Sequence, residues 1–109
     1  MRNLTMLTDL YQMTMMNGYI KAGTPDRIAV FDLFFRRNPG GAAFAVAAGL
    51  EQVIDYIKNL HFDESDIEYL RNLNLFDEKF FDYLRDFRFT GEMYAVPEGT
   101  VVKAGEQFA

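Results

Sequence analysis

Two places in the chain carry side chains whose type and spacing offer chemistry. Tyr11 follows Asp9 at the head of an apolar, methionine-dense stretch, LTDLYQMTMMNGY, and Arg36 and Arg37 stand together before Asn38-Pro39-Gly40-Gly41. A tyrosine ring presents a flat apolar face that can stack on another flat ring. Two arginines at a strand end that opens into a glycine-rich loop suit phosphate, which the planar guanidinium binds as a fork. Spacing alone leaves plainer readings open, since an aromatic at a helix start is usually core and an arginine is usually surface charge. His61 precedes Phe62-Asp63 at an expected helix end, where a histidine satisfies terminal carbonyls and the negative end of the helix dipole. The acids Asp63, Glu64, Asp66, Glu68, Asp77 and Glu78 read as caps and solvated faces. Gly40-Gly41 precedes a strand and lacks the Lys-Ser/Thr of a phosphate loop. No Ser-His-Asp set or paired-carboxylate site is visible, so no catalytic residue and no metal ligand is assigned.

Composition narrows the class of protein. The 109 residues amount to one domain's worth of chain, or part of a larger one. Half are apolar and 16% are aromatic, enough for a packed core. Eleven basic and sixteen acidic residues give a net charge of −5, and only Arg36-Arg37 offers a short basic face, so nucleic acid is not an expected partner. With no cysteine and a single histidine, disulfides and a His/Cys zinc site are excluded. Asp9, Gln12 and Asn17 interrupt what a secretory signal would need as an unbroken apolar run. No stretch is long enough to span a bilayer, so no membrane role is expected. The expected compartment is the cytoplasm.

The elements that must position Tyr11 and Arg36 follow from periodicity. A first helix is expected over residues 8–22, capped by Thr8 or Asp9 and stopped by Gly23 before Thr24-Pro25. Leu10, Met13, Met16 and Ile20 share one face, and Tyr11, Met15 and Tyr19 form a second stripe, so this helix is expected to contact protein on two sides. Residues 28–36 read as a strand, apolar on both faces except for Asp32 and Arg36, and therefore central in a sheet. AAFAVAAG reads as a second strand. Leu50, Val53, Ile54, Ile57 and Leu60 set out an amphipathic helix. Two more helices follow. Asp63 caps one, with Phe62 and Ile67 as a hydrophobic staple, and Asp77 caps the other, with Phe76 and Phe81 in the same relation. The tail reads as a strand around Met93 and Ala95, a turn at Pro97-Glu98-Gly99, a strand at Val101-Val102 and a turn over residues 103–106. A new strand is expected to begin at Gln107-Phe108-Ala109, and the chain is read as an N-terminal piece of a larger protein.

Taken in order, LTDLYQMTMMNGY, AVFDLFFRRNP, AAGLEQVIDYI and FDYLRDFRFTGEMYAVPEGTVV closely resemble the N-terminal region of nicotinate phosphoribosyltransferase, over residues 7–102. The agreement of LTDLYQ and FDLFFRRNP at the right separation is its most specific part. The resemblance implies an α+β fold, the N-terminal domain of a type II phosphoribosyltransferase with helices packed on a small mixed sheet. Most of the family's α/β barrel lies beyond residue 109, and so does its phosphorylated histidine, which His61 does not match. It implies a parent enzyme that joins nicotinate to phosphoribosyl pyrophosphate with coupled ATP hydrolysis, giving nicotinate mononucleotide for NAD synthesis. That enzyme uses Mg2+ and ATP, neither of which these 109 residues are expected to bind alone. It implies a homodimer in which Tyr11 crosses the interface and stacks on nicotinate in the neighbour's site. Asp9 then positions the tyrosine, and Met13, Met15, Met16 and Tyr19 bury against both subunits. Arg36 matches an arginine that contacts phosphate in relatives, whereas the family pattern tolerates lysine at Arg37. The loop NPGGAAFAV departs from the bulkier family form, which leaves its role open. The competing reading is a free-standing, non-catalytic interaction domain that keeps this scaffold.

Overall fold

A computed structural model describes residues 2–107 and residue 109. Met1 and Phe108 lie outside the described residues, and with Phe108 the middle of the strand start expected there. The backbone divides into two compact units, Met1–Ile28 with Tyr56–Phe89, and Ala29–Asp55 with Thr90–Ala109.

The first unit holds three helices, α1 (Leu10–Lys21), α3 (Glu64–Asn72) and α4 (Glu78–Arg85). Helix α1 is shorter than expected at both ends. Asp9 occupies the N-cap position, but its carboxylate makes no capping bond. Thr8 Oγ1 donates to the Gln12 side chain instead, and the Gln12 N–H bonds the Asp9 carbonyl at 3.1 Å. Gly23 stops the helix as the sequence predicts. Its φ of +73° is one that L side chains rarely adopt. That turn lets Gly23 N–H reach the Ile20 carbonyl (3.1 Å) and Thr24 N–H the Tyr19 carbonyl (2.9 Å), the paired bonds of a Schellman ending.

Ile67, Leu70, Phe80, Phe81 and Leu84 are at most 2% exposed and, with Met13 and Phe62, make the core. Met16, Ile20, Leu73, Phe76 and Phe87 pack around it. Phe76 stands edge-on to Phe81 with ring centroids 6.2 Å apart, so the expected staple on α4 is in place. At α3 the Asp63 N–H donates to the Asp66 carboxylate at 2.9 Å, the returning half of a capping box. Asp77 takes the N-cap position of α4 without a capping bond. Its N–H donates to Asn17 Oδ1 (3.2 Å) and its carboxylate faces Lys21 Nζ (3.7 Å), which ties the start of α4 to α1.

The second unit departs most from the sequence reading. Its only sheet among the described residues is two-stranded and antiparallel, not mixed, with β1 (Ala45–Val46) paired to β2 (Val101–Val102) through Ala45 with Val102 and Val46 with Val101. The Pro97-Glu98-Gly99 turn forms as predicted, with Thr100 N–H on the Pro97 carbonyl (3.2 Å) and Gly99 at φ +85°, the left-handed position such a turn requires. The turn over residues 103–106 also forms, with Glu106 N–H on the Lys103 carbonyl at 3.0 Å. Met93 and Ala95 are in no strand. The strand expected over residues 28–36 is not central. It has one antiparallel bridge, Phe34 with Gln107, and leaves Val30 and Phe31 88% and 86% exposed. A strand apolar on both faces is buried only when neighbours cover both, and the described residues supply partners only at its end. Helix α2 (Leu50–Lys58), most of which belongs to this unit, has no buried residue, and Val53 and Ile54 remain exposed.

Candidate functional site

Helix α1 sorts its side chains by face. Met13 is buried, Met16 and Ile20 pack against the core, and the neighbouring stripe of Tyr11, Met15 and Tyr19 stays 59%, 49% and 48% exposed. These three residues are four apart and line up along the helix. Tyr11 is therefore not a core residue of the first unit, and Met15 and Tyr19 extend its apolar surface. Thr14 Oγ1 donates to the Tyr11 carbonyl at 2.9 Å, a backbone contact that does not involve the ring. Asp9 is exposed at the head of the helix, and among the described residues its carboxylate has no hydrogen-bond partner.

Residues that periodicity does not single out fix the approach to α1. Thr5 is only 4% exposed. Its hydroxyl donates to Asn3 Oδ1 (2.6 Å) and accepts the His61 N–H (3.2 Å). Asn3 Nδ2 reaches the His61 carbonyl at 3.3 Å and Asp63 Oδ2 at 3.2 Å. The His61 ring lies 2.6 Å from the Asn59 carbonyl through Nδ1 and 3.1 Å from Asp63 through Nε2. The His61 ring thus meets a carbonyl just past the end of α2, as expected of a helix-end histidine, while its backbone N–H and carbonyl join the segment before α3 to Thr5 and Asn3. Polar side chains of this kind carry no periodic signal, which is why Asn3 and Thr5 escape a sequence reading.

In the second unit Arg36 and Arg37 lie in an exposed bend before the short 3-10 turn Pro39–Gly41, and among the described residues neither has an ion-pair partner. Arg37, rather than Arg36, lines an open cleft of about 620 Å³, with Asn38, Gly40, Gly41, Ala42 and Ala104. Asn38 Oδ1 is buried there without a hydrogen-bond partner among the described residues. Asp32, predicted to share a face with Arg36, accepts a hydrogen bond from Gln107 Nε2 at 2.7 Å. Tyr11 and Asp9 belong to one unit and Arg36 to the other. Among the described residues there is no group of three or more His, Cys, Asp or Glu that could hold a metal ion. No helix of the described chain is long and apolar enough to cross a membrane.

The family model for the nicotinate phosphoribosyltransferase (NAPRTase) N-terminal domain matches residues 6–107. Nicotinate phosphoribosyltransferase pncB2 of Mycobacterium tuberculosis is 43% identical over 101 residues, covering 93% of this chain and 22% of its own length. Nicotinate phosphoribosyltransferase of Bacillus subtilis is 43% identical over 100 residues, covering 92% and 20%. Nicotinate phosphoribosyltransferase 2 of Arabidopsis thaliana is 42% identical over 99 residues, covering 89% and 18%. The chain spans about a fifth of the length of the curated relatives it matches.

Proposed function

The chain belongs to the nicotinate phosphoribosyltransferase N-terminal domain family, and on that premise we propose that residues 1–109 serve as the N-terminal domain of a cytoplasmic enzyme that joins nicotinate to phosphoribosyl pyrophosphate. ATP hydrolysis is coupled to the transfer, and the product, nicotinate mononucleotide, enters NAD synthesis. In this reading the chain supplies no catalytic group. It supplies a ring and a cation. Tyr11 stacks on nicotinate in the active site of a second subunit of a homodimer, and Arg36 binds a phosphate of phosphoribosyl pyrophosphate or ATP. Asp9, at the head of the same helix, sets the tyrosine's position. Mg2+ and ATP act in the whole enzyme, where Mg2+ offsets phosphate charge; no step assigned to these residues runs through it.

The observation that carries the proposal is the exposure of Tyr11 on a helix whose other face is committed to the core. A ring that contributes little to its own domain is free to stack on a flat heteroaromatic acid, with offset stacking adding to apolar burial. The Met15 and Tyr19 side chains beside it give the apolar surface that a partner subunit would cover.

A chimera tests the reading. The matched segment of the Bacillus subtilis relative is replaced by this chain, and nicotinate mononucleotide formation is followed. An active chimera is expected, and Arg36→Ala in it is expected to lower kcat/KM about ten- to a hundredfold, the loss of a charge-assisted contact of roughly 1.5–3 kcal/mol. Arg36→Lys restores part of that loss. A chimera that folds and dimerises but makes no product supports the free-standing interaction domain instead.

A further inference from the structure

Residues 29–35 form no helix or turn, and only their last part is paired. Leu33 N–H donates to the Ala109 carbonyl at 2.6 Å, and Ala109 N–H donates back to the Leu33 carbonyl at 3.4 Å. Phe34 bridges Gln107 in the antiparallel sense, and Gly105 N–H reaches the Phe35 carbonyl at 2.8 Å. In an antiparallel ladder, residues whose N–H and C=O both face one neighbour alternate with residues that face the other edge. The edge that Leu33 uses toward Ala109 is therefore presented next by Phe31 and then by Ala29. Among the described residues no hydrogen bond reaches the backbone of Ala29, Val30 or Phe31. Val30 and Phe31 are both almost fully exposed, and pairing as a strand would turn them to opposite faces.

An unpaired edge in line with an existing ladder is a template for more strand, where main-chain bonds give affinity and alternate side chains give register. Apolar residues on both faces call for an occupant that is extended and covered by protein on both sides, not a solvent-facing peptide. We infer that residues 29–31 are a docking edge for an antiparallel strand that prolongs the line of Gly105, Gln107 and Ala109. The strand is supplied by the polypeptide that lies, in the full-length relatives, beyond the region this chain matches. A second copy of the chain could pair antiparallel on the same edge, and the experiment below separates that occupant from the chain's own continuation. The inference rests on family membership and on backbone register, and is independent of the roles given to Tyr11 and Arg36.

Amide hydrogen exchange measured by NMR tests it without an activity readout. The chain is extended after Ala109 by roughly eight residues, about one ordinary strand, taken from the Bacillus subtilis relative directly beyond the position matching Ala109. The Phe31 and Ala29 amides are expected to exchange on the order of 100-fold more slowly than in the unextended chain, with Val30 and Asp32 little changed. Proline at the added position facing Phe31 is expected to abolish the Phe31 protection. Unchanged protection in α3 and α4 across all three proteins shows that each is folded. Equal exchange in the extended and unextended chains overturns the inference, and so does equal slowing of all four amides, which is burial without register. Protection in the unextended chain that rises with protein concentration also overturns it, by assigning the edge to a second copy.

Discussion

The two units hold similar stocks of apolar side chains and use them in opposite ways. The first closes Ile67, Leu70, Phe80, Phe81 and Leu84 into a core that is essentially sealed from water. The second has one deeply buried apolar residue among those described, Val102, and leaves Val30, Phe31, Leu33, Phe34, Phe44, Val46 and Val101 at least half exposed. Helices complete their hydrogen bonds internally, so three short ones can bury a stripe each against one another within a local stretch of chain. A strand must borrow both its hydrogen bonds and its cover from other strands, so its apolar residues stay exposed wherever those neighbours are missing. Specific hydrogen bonds also tie the second unit together. Glu98 accepts the N–H groups of Gly49 (3.1 Å) and Leu50 (3.2 Å), so the Pro97–Thr100 turn caps α2.

The contrast is sharpest in a pair of phenylalanines. Phe80→Ala is expected to cost about 3–5 kcal/mol of folding stability through cavity formation, whereas Phe31→Ala should change it by no more than about 0.5 kcal/mol. Urea denaturation of the two variants measures both, and comparable losses would mean that the second unit has a core after all.

Tyr11 is the exception that the first unit should contain. In the active chimera, Tyr11→Ala is expected to weaken nicotinate binding by about 1–2 kcal/mol while the melting temperature barely moves, and Tyr11→Phe should be mild. If the alanine variant instead loses about 3 kcal/mol or more of stability, Tyr11 belongs with the core residues. Mixed dimers locate its action. A Tyr11→Ala subunit is paired with one inactivated in its own site, so the only competent pocket receives an intact Tyr11 from its partner. Near-normal activity per competent site is expected, and impairment equal to the Tyr11→Ala homodimer would place the ring in its own subunit's site.

A smaller effect probes the second unit's reliance on hydrogen bonds. Glu98→Ala is expected to destabilise by about 0.5–2 kcal/mol, the range for losing a helix N-cap, with faster exchange at the Gly49 and Leu50 amides and no change in α3. Unchanged exchange at those two amides would remove Glu98 from the scaffold.

The smallest effect lies on the surface of the first unit. Arg71 forks onto Glu78 at 3.1 and 3.2 Å, reaches Glu68 at 3.2 Å and lies 5.1 Å over the Phe81 ring. Its hydrogen bonds and charge hold the Glu78 carboxyl below its ordinary range, while Glu78 in turn raises the Arg71 guanidinium. Because the folded-state value is the depressed one, this contribution is complete above the unfolded carboxylate range. It is lost as pH falls through the folded value. Glu78→Gln is therefore expected to flatten slightly the acid limb of a stability-against-pH curve and to leave stability near neutrality almost unchanged. Both groups are solvent-exposed and screened, so a large change at pH 7 would contradict this account.

The sequence by itself determined what depends on near neighbours along the chain. The positions of α1, α3 and α4, the Phe76–Phe81 staple, the stop at Gly23 and the Pro97-Glu98-Gly99 turn all follow from spacing and residue type, because each is closed by contacts a few residues apart. The same is true of Tyr11's place on a stripe separate from Met13 and Ile20. Only the tertiary structure decided which stripe of α1 faces the core, since both are apolar and periodicity does not rank them. It also decided that Thr8 and Asp9 forgo capping, that Asn3 and Thr5 lock His61, and that Arg37 rather than Arg36 lines the cleft beside Asn38. Residues 28–36 show the limit most plainly. Their composition specifies a strand buried on both faces, but pairing is a relation to other strands, and a strand's own residues do not state where its neighbours are.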